Sequence, residues 1–282
     1  MPSDNVKSEV RSPKSETTAF VHRSDTVEAY TASVERVIRH MMAHLDEPLD
    51  LDQLARIAAI SKFHLVRVFD ELTGTTPGHF LSCLRMQRAK ELMLTSKASI
   101  TAICMAVGYL SLGSFSTTFS LLVGVSPQEF RALPKRLNPL QFAQAVWHFL
   151  ASPQPAAEPP LAGVVEGPAK PRGFTFVGTF TEGVPQGVPF SGTVLLKPGP
   201  FCIQRPTLPE FYLLAAFIPL SAELATIVCT LPVGLVASQR VRNATLDEGG
   251  RPHLRLRPLR LTDPPIVLAL PALPPWRGMF TK

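Results

Sequence analysis

Lys62, Phe63, His64, Val66 and Arg67 place two cations and an imidazole beside two apolar side chains within one short window. At helical spacing Leu65, Val68, Phe69 and Leu72 share one face, which leaves Lys62, Phe63, Val66 and Arg67 opposite, with His64 at the margin. A guanidinium is a planar fork of donors and an ammonium a compact charge, so such a face can hold an anion or pair with a planar acceptor edge. The bland alternative is a solvated helix surface, on which Phe and Val are unusual. Arg85, Arg88 and Lys90 form a second basic group; Arg85 and Arg88 lie three apart on one helical face, as phosphate clamps or as a solvated face pairing with Glu91. Arg251, His253, Arg255 and Arg257 alternate with Leu254 and Leu256, the pattern of a strand with one basic and one apolar face. Pro252 and Pro258 flank it, which suits a protected edge strand better than an anion site.

Other chemistries are excluded by what is missing. No nucleophile elbow, phosphate loop or paired-carboxylate motif is present, so an enzyme is not expected. Cys83, Cys104, Cys202 and Cys229 stand far apart, with no Cys-x-x-Cys and no closely spaced histidine pair, so neither a metal nor a cofactor is expected. Cys83 and Cys104 fall in helical runs and read as small core residues. The polar lead Met1 to Thr18 lacks a signal-peptide core, and the most apolar stretch, Leu224 to Ala237, is too short to span a bilayer and contains Pro232. These features predict a cytoplasmic protein with no membrane contact.

The elements that must carry these residues differ between the halves. Of 28 prolines in 282 residues, 7 precede residue 151 and 21 follow it, so long helices belong to the first half. The net charge of +6 divides as +2 and +4, too little for a general polyanion coat. Helical periodicity begins near Ala32 with Val34, Val37, Ile38, Met41, Met42 and Leu45, and stops at Asp46-Glu47-Pro48. Leu51, Leu54, Ala55 and Ala58 mark a second helix, Ser61 caps a third, Gly74 closes it, and Thr76-Pro77 opens a fourth that runs to about Ser96. The pattern then repeats at offsets of 49 and 50: Ile100, Ile103 and Val107 echo Leu51, Leu54 and Ala58, while Phe115, Phe119, Leu122, Gly124, Pro127 and Phe130 echo Leu65, Phe69, Leu72, Gly74, Pro77 and Phe80. Repeated glycine and proline punctuation marks an internal duplication of a helix-turn-helix unit. Ser126 to Glu129 reads as the capping box of a last helix.

Residues from about Ala32 to Arg136 resemble the DNA-binding domain of the AraC/XylS family of bacterial transcription regulators. The resemblance rests on Leu54-Ala55 and Ser61-Lys62-Phe63-His64-Leu65-x-Arg67-Val68-Phe69, on Thr73-Gly74 with Pro77, on Arg85-Met86 with Ala89-Lys90-Glu91-Leu92, and on Ile100-Thr101, Val107-Gly108-Tyr109, Gly124-Val125-Ser126-Pro127 and Phe130-Arg131. It implies two helix-turn-helix units held apart by one long helix, each presenting a recognition helix to successive major grooves. Most family members carry this domain at the C-terminus, the reverse of the order here.

On that resemblance, the Arg67 face enters a groove, with Arg67 bidentate to guanine, Phe63 and Val66 on thymine methyls, and Lys62 and His64 on phosphates. Arg85 and Arg88 are expected near the DNA backbone. The second recognition helix has Phe115, Phe119 and Leu122 inward and Leu112, Gly113, Ser116, Thr117 and Ser120 outward behind Ser111, without a cation. Family members generally show Arg or Lys near position 117 and just after Phe119, so this unit departs from the pattern. Each missing cation removes one counterion-releasing contact. The expected sites are therefore Lys62, Phe63, His64, Val66, Arg67, Arg85, Arg88, Ser111, Leu112, Gly113, Ser116 and Thr117.

The second half offers short apolar or alternating runs: 174–180, 192–196, 201–204, 211–218, 253–256 and 266–270. These predict a β-sandwich, and Gly192-Thr193-Val194-Leu195-Leu196, Pro198-Gly199-Pro200-Phe201 and Pro206-x-x-Pro209-Glu210-Phe211-Tyr212-Leu213-Leu214 resemble transthyretin-like (prealbumin-like) sandwiches. The expected fold is multidomain α and β: a disordered lead over 1–25, an all-α double helix-turn-helix domain over 26–137, a helix near 138–150 and a Pro/Ala-rich linker within 138–172, an all-β sandwich-like domain over 173–274 and a tail over 275–282. Few contacts across that linker would leave residues 20–150 folding independently with a separate core. The expected function is sequence-specific regulation of transcription on a double-stranded DNA operator. RNA polymerase, a small-molecule effector and a second copy of the chain are candidate partners. The alternative is a protein-interaction module with a degenerate helix-turn-helix.

Overall fold

The computed structural model describes residues 14–136, 160–168, 172–187, 189–219 and 233–269. Seven helices come first: α1 (Lys14–Ala43), α2 (Leu51–Ala58), α3 (Lys62–Thr73), α4 (Pro77–Thr95), α5 (Ile100–Ala106), α6 (Leu112–Val123) and α7 (Pro127–Arg136). Their starts are written locally. The Asp50 side chain accepts from Gln53 N at 2.6 Å while Gln53 Oε1 accepts from Asp50 N at 2.9 Å. Ser61, Thr76, Ser99 and Ser111 each accept from the backbone N–H three residues on. Ser126 and Glu129 close the expected reciprocal box.

The duplication extends to the backbone. Gly74 and Gly124 end α3 and α6 in the left-handed region, at φ 73° and 89°. Ala59 turns the chain out of α2 at φ 58°, and its counterpart Gly108 does so after α5 at φ 80°. A Cβ on Gly108 would lie 2.5 Å from Leu45 O and 2.8 Å from Arg85 Nη2, so glycine is required there for packing as well as conformation.

After the helices come β1 (Pro160–Glu166), β2 (Gly173–Phe180), β3 (Ser191–Leu195), β4 (Pro200–Gln204), β5 (Glu210–Pro219), β6 (Leu235–Arg242), the short α8 (Asn243–Asp247) and β7 (His253–Arg255). They form two sheets, ordered β4-β1-β7 and β3-β2-β5-β6, antiparallel except where β7 runs parallel to β1. Alternate residues of β5 serve different cores. Phe211, Leu213, Ala215 and Phe217 join Leu161, Val165, Phe201, Ile203 and Leu254 of the smaller sheet. Leu214, Ala216 and Ile218 face the helices, in one cluster with Met86, Phe115, Phe119, Leu122 and Phe130. A strand buried on both faces has no polar side, which is why β5 reads as a continuous apolar run.

Several expectations are corrected. Helix α1 already runs from Lys14, inside the segment expected to be a disordered lead. Met42 is half exposed. Strand β1 lies in the expected linker, and of the expected strand 266–270 residues 267–269 are buried and Ile266 partly buried, without strand pairing. The expectation of separate cores fails as well: the apolar cluster of the second unit continues into β2, β3, β5 and β6, because β5 is apolar on both faces and lays Leu214, Ala216 and Ile218 against the helices. The first unit has its own cluster from α1 to α4, to which the β half adds Leu261 at the periphery. The expected helix near 138–150, the tail 275–282 and Cys229 lie outside the described residues.

Candidate nucleic-acid interface

Helix α3 is held from three sides. Val68, Phe69 and Leu65 are buried against α1, α2 and α4, with the Phe69 and Phe80 rings edge to face at 5.4 Å. Arg36 of α1 donates from Nε to Ile57 O at 3.1 Å and from Nη2 to Ala58 O at 3.2 Å, which satisfies the last carbonyls of α2 and fixes the turn into α3. The sequence gives no local signal for this role, since its partners lie 21 and 22 residues away.

The C-terminal ends of α3 and α6 are docked on the β half. A Cβ on Gly183 would lie 2.2 Å from Gly74 O, so the chains touch backbone to backbone where α3 ends. His79 Nε2 is 2.9 Å from Gln186 Oε1 beside it. At the end of α6, Gly187 N donates to Leu122 O at 3.1 Å and Ala269 N to Val123 O at 3.0 Å. The N-terminal turns of α3 and α6 therefore point away from the β half, and the N-terminal part of a recognition helix is the part that meets base edges in helix-turn-helix proteins.

On the first two turns of α3, Phe63 is 81% exposed, and Lys62 and Arg67 are exposed beside it. Lys62 Nζ sits 5.9 Å above the Phe63 ring and 3.3 Å from Asp52 Oδ1, a solvated pair that an incoming phosphate can displace. Val66 is half-buried, at the edge of the face. His64 differs from expectation: its ring leans on Tyr30 of α1 at 4.9 Å, its Nδ1 lies 3.4 Å from Arg67 Nη2, and its Nε2 is buried without a partner. Its two ring nitrogens thus face Arg67 and the interior, away from the open side where a phosphate contact is expected.

Arg85 is a clear correction. Its Nε donates to Leu45 O at 2.9 Å and its Nη2 to Glu47 O at 2.7 Å, with the guanidinium 5.8 Å above the Tyr109 ring. Burial lowers its pKa from the ordinary guanidinium value, partly offset by Tyr109 and Asp46. Those donors brace the α1–α2 turn against the second unit and are not free for DNA. Lys90 is 2% exposed and donates to Val267 O at 2.9 Å, so it is neither a clamp nor a solvated charge. Arg88 remains exposed, paired at 3.0 Å with Glu91.

On α6, Ser111 is occupied as the cap, Leu112 is 42% exposed, Gly113 and Thr117 are exposed and Ser116 is half-buried. Gly113 has open space where a Cβ would be. Residues 98–128 contain no Asp, Glu, Lys, Arg or His at all, and Met105, Leu110 and Leu121 are exposed within them. The two units thus share a backbone and differ in surface chemistry. The basic strand of the second half is the edge β7, with His253 3.0 Å from Glu166 and Arg257 bidentate on Asp263, as a protected edge requires.

A helix-turn-helix domain model matches residues 54–133. The MmsAB operon regulatory protein of Pseudomonas aeruginosa is 39% identical over 93 residues, 33% of this chain and 30% of that protein. Regulatory protein SoxS of Escherichia coli (strain K12) is 30% identical over 103 residues, 35% of this chain and 96% of SoxS. Among solved structures, a transcriptional regulator with an AraC-type DNA-binding domain from Chromobacterium violaceum is 30% identical, covering 39% of this chain and 96% of that one, with a TM-score of 0.35. This chain spans about a third of the length of the first curated relatives it matches, at 34% and 30%. No helix among the described residues is long and apolar enough to cross a membrane. Since 96% of SoxS aligns with this chain at 30% identity and the helix-turn-helix model falls on the helical half, the chain belongs to the AraC family of helix-turn-helix transcription regulators.

Proposed function

We propose that this chain is a sequence-specific DNA-binding regulator whose first unit does the base reading. The observation that carries this is the first two turns of α3, where Phe63, Lys62 and Arg67 stand exposed while the far end of the helix is docked. Arg67 pairs with a guanine edge, Phe63 and Val66 meet thymine methyls, Lys62 and Arg88 contact phosphates, and α4, about 28 Å long from its 19 residues, sets the units roughly one groove apart. Helix α6 lies against the neighbouring groove through Ser116 and Thr117. The β half, two sheets packed as a small sandwich, senses a ligand or holds a second copy of the chain.

Titration of the full chain against random and selected duplex DNA at several salt concentrations tests this. Log affinity should fall with log salt by about 0.9 for each phosphate neutralised, and selection should return a motif. A flat salt dependence would sink the proposal. The second reading, in which the charge-free second unit docks on a protein, is favoured by exposed Met105, Leu110 and Leu121 and gives a motif of one half-site only.

A further inference from the structure

A cavity of about 410 Å³ lies between α1, α4 and the segment that follows β7. Ile38 of α1 with Phe80 and Leu84 of α4 close its base and are buried, and the partly buried Val233 and Ile266 give it an apolar side. Met42 and Leu259 flank it, 51% and 47% exposed, large apolar side chains that water covers when the cavity is empty. Its volume is in the range of small-molecule sites, about 300 to 1,000 Å³.

The polar groups are few and fixed. Asp263 is fully engaged: Oδ1 accepts from Arg257 Nη2 at 2.7 Å, and Oδ2 accepts at 2.7 Å both from Arg257 Nη1 and from the backbone N of Arg260. That hydrogen-bonded pair raises the Arg257 pKa and leaves the wall neutral. The side chains of Arg260 and Gln87 also line the cavity, and neither has a hydrogen-bond or ion-pair partner among the described residues. The uncompensated charge is therefore one guanidinium, with one carboxamide beside the same opening.

We propose that this cavity binds an amphipathic carboxylate, its hydrocarbon body on Met42, Leu259, Ile266 and the edge of Leu84 and its carboxylate on Arg260 and Gln87. The lining points to the class: its exposed apolar side chains favour a hydrocarbon body over a sugar or a nucleotide, and the one lining cation without a partner among the described residues favours a monoanion over a neutral or cationic ligand. The site also has a mechanical consequence. The segment that forms its outer wall places Leu261 against the core of the first unit, and its continuation, Val267 to Ala269, is bonded to Lys90 and Val123 of the second. A ligand wedged under Leu259 and Ile266 bears on a stretch of the β half that touches the cores of both units. This consequence rests on the DNA-binding reading; the binding site does not.

Displacement of anilinonaphthalene sulfonate from the full chain, read by fluorescence without DNA, tests the site. Octanoate should displace the dye at about one fifth of the concentration that octanol needs, the advantage of one partly solvated charge pair. Arg260→Gln, at an exposed position, should bring the two curves together. Met42→Trp should fill the mouth and weaken displacement by both probes, with circular dichroism unchanged. Equal curves in the parent chain, a preference that survives Arg260→Gln, or unaltered displacement in Met42→Trp would each overturn the proposal. In a separate arm, octanoate should change the affinity for selected DNA. Octanoate preference intact in a chain that binds no DNA would reject the regulator reading and leave the site standing.

Discussion

Lys90 Nζ donates to the carbonyl oxygen of Val267 at 2.9 Å across 177 residues of sequence, from a side chain 2% exposed. A second donation reaches Leu268 O at 3.4 Å, and the ammonium sits 5.8 Å from the Phe130 ring. One cation thus ties α4 and α7 to the end of the β half. Lys90→Met keeps the volume and removes the donor, leaving buried carbonyls unpaired at about 1 to 3 kcal/mol, against which the relief of a buried charge works only in part. Tm should fall by roughly 4 to 8 °C, and amide exchange should quicken at 267–269. An unchanged Tm would mean that the charge costs as much as it stabilises.

Arg67 and Thr117 occupy corresponding positions of the two units, at the repeat offset of 50. Arg67→Ala should weaken specific binding by about 1 to 3 kcal/mol and relax one base position, because it removes an edge contact as well as a charge. Loss without altered preference would make Arg67 a phosphate contact. Thr117→Arg should steepen the salt slope by about one unit if α6 lies in a groove. An unaltered slope in quantitative titrations would place the second unit off the DNA and favour its role as a protein surface.

Arg85 and Arg88 lie one turn apart on α4 and have opposite fates. Arg85→Ala should leave the salt slope unchanged and lower stability by about 1 kcal/mol, since it unpairs Leu45 O and Glu47 O at a partly solvated turn. Arg88→Ala should do the reverse, reducing the slope by about one unit with Tm within a degree or two. Thermal melts beside salt titrations of both variants separate the roles. A reduced slope in Arg85→Ala would restore it to the interface.

These pairs also show what a sequence exposes and what it hides. The helical half was legible because its punctuation is local: Ser61 and Ser111 cap, Gly74 and Gly124 terminate, and Pro77 and Pro127 restart, each within a turn of what it controls. The surface of α3 followed from its period for the same reason. Lys90 and Arg85 were misread because a lysine or arginine on a helix ordinarily stays solvated, and the carbonyls that draw these two inward lie 177 and 40 residues away. His64 hides behind Tyr30 for a similar non-local reason. Strand β1 does alternate, with Leu161, Gly163 and Val165 inward, but the surrounding prolines and alanines mask a pattern that only β4 and β7 complete.

Cys83 and Cys202 should differ sharply in reactivity. Burial, with a smaller contribution from Glu182, pushes the Cys83 thiol up to about 12, whereas Cys202 is exposed on β4. At pH 8 the thiolate fraction of Cys83 is about one in ten thousand, so iodoacetamide should label Cys202 and spare Cys83 in the native chain. Peptide mass spectrometry reads both sites at once. Labelling of Cys83 at the rate of Cys202 would mean that α4 separates from the sheet on the timescale of the reaction.

Fragment stability tests the shared core most directly. Residues 14–136 contain the seven helices of the helical half, and the apolar cluster of the first unit loses only peripheral Leu261 when the β half is removed, beside the Gly74–Gly183 and His79–Gln186 contacts. The second unit loses the faces of Phe176, Phe180, Leu214, Ala216 and Ile218, together with the bonds to Val123 and Leu122. The fragment should therefore keep helical circular dichroism, melt at lower temperature than the full chain, and lose amide protection in α6 and α7 far more than in α2 and α3. Because α3 retains its supports from α1, α2 and α4, the preferred half-site should be unchanged even as affinity falls. Equal protection in both units would show that the helical half closes its own core and that the contact with the sheet is incidental; loss of protection first in α3 would show that the docking of Gly74 on Gly183, not the apolar cluster, is what holds the halves together.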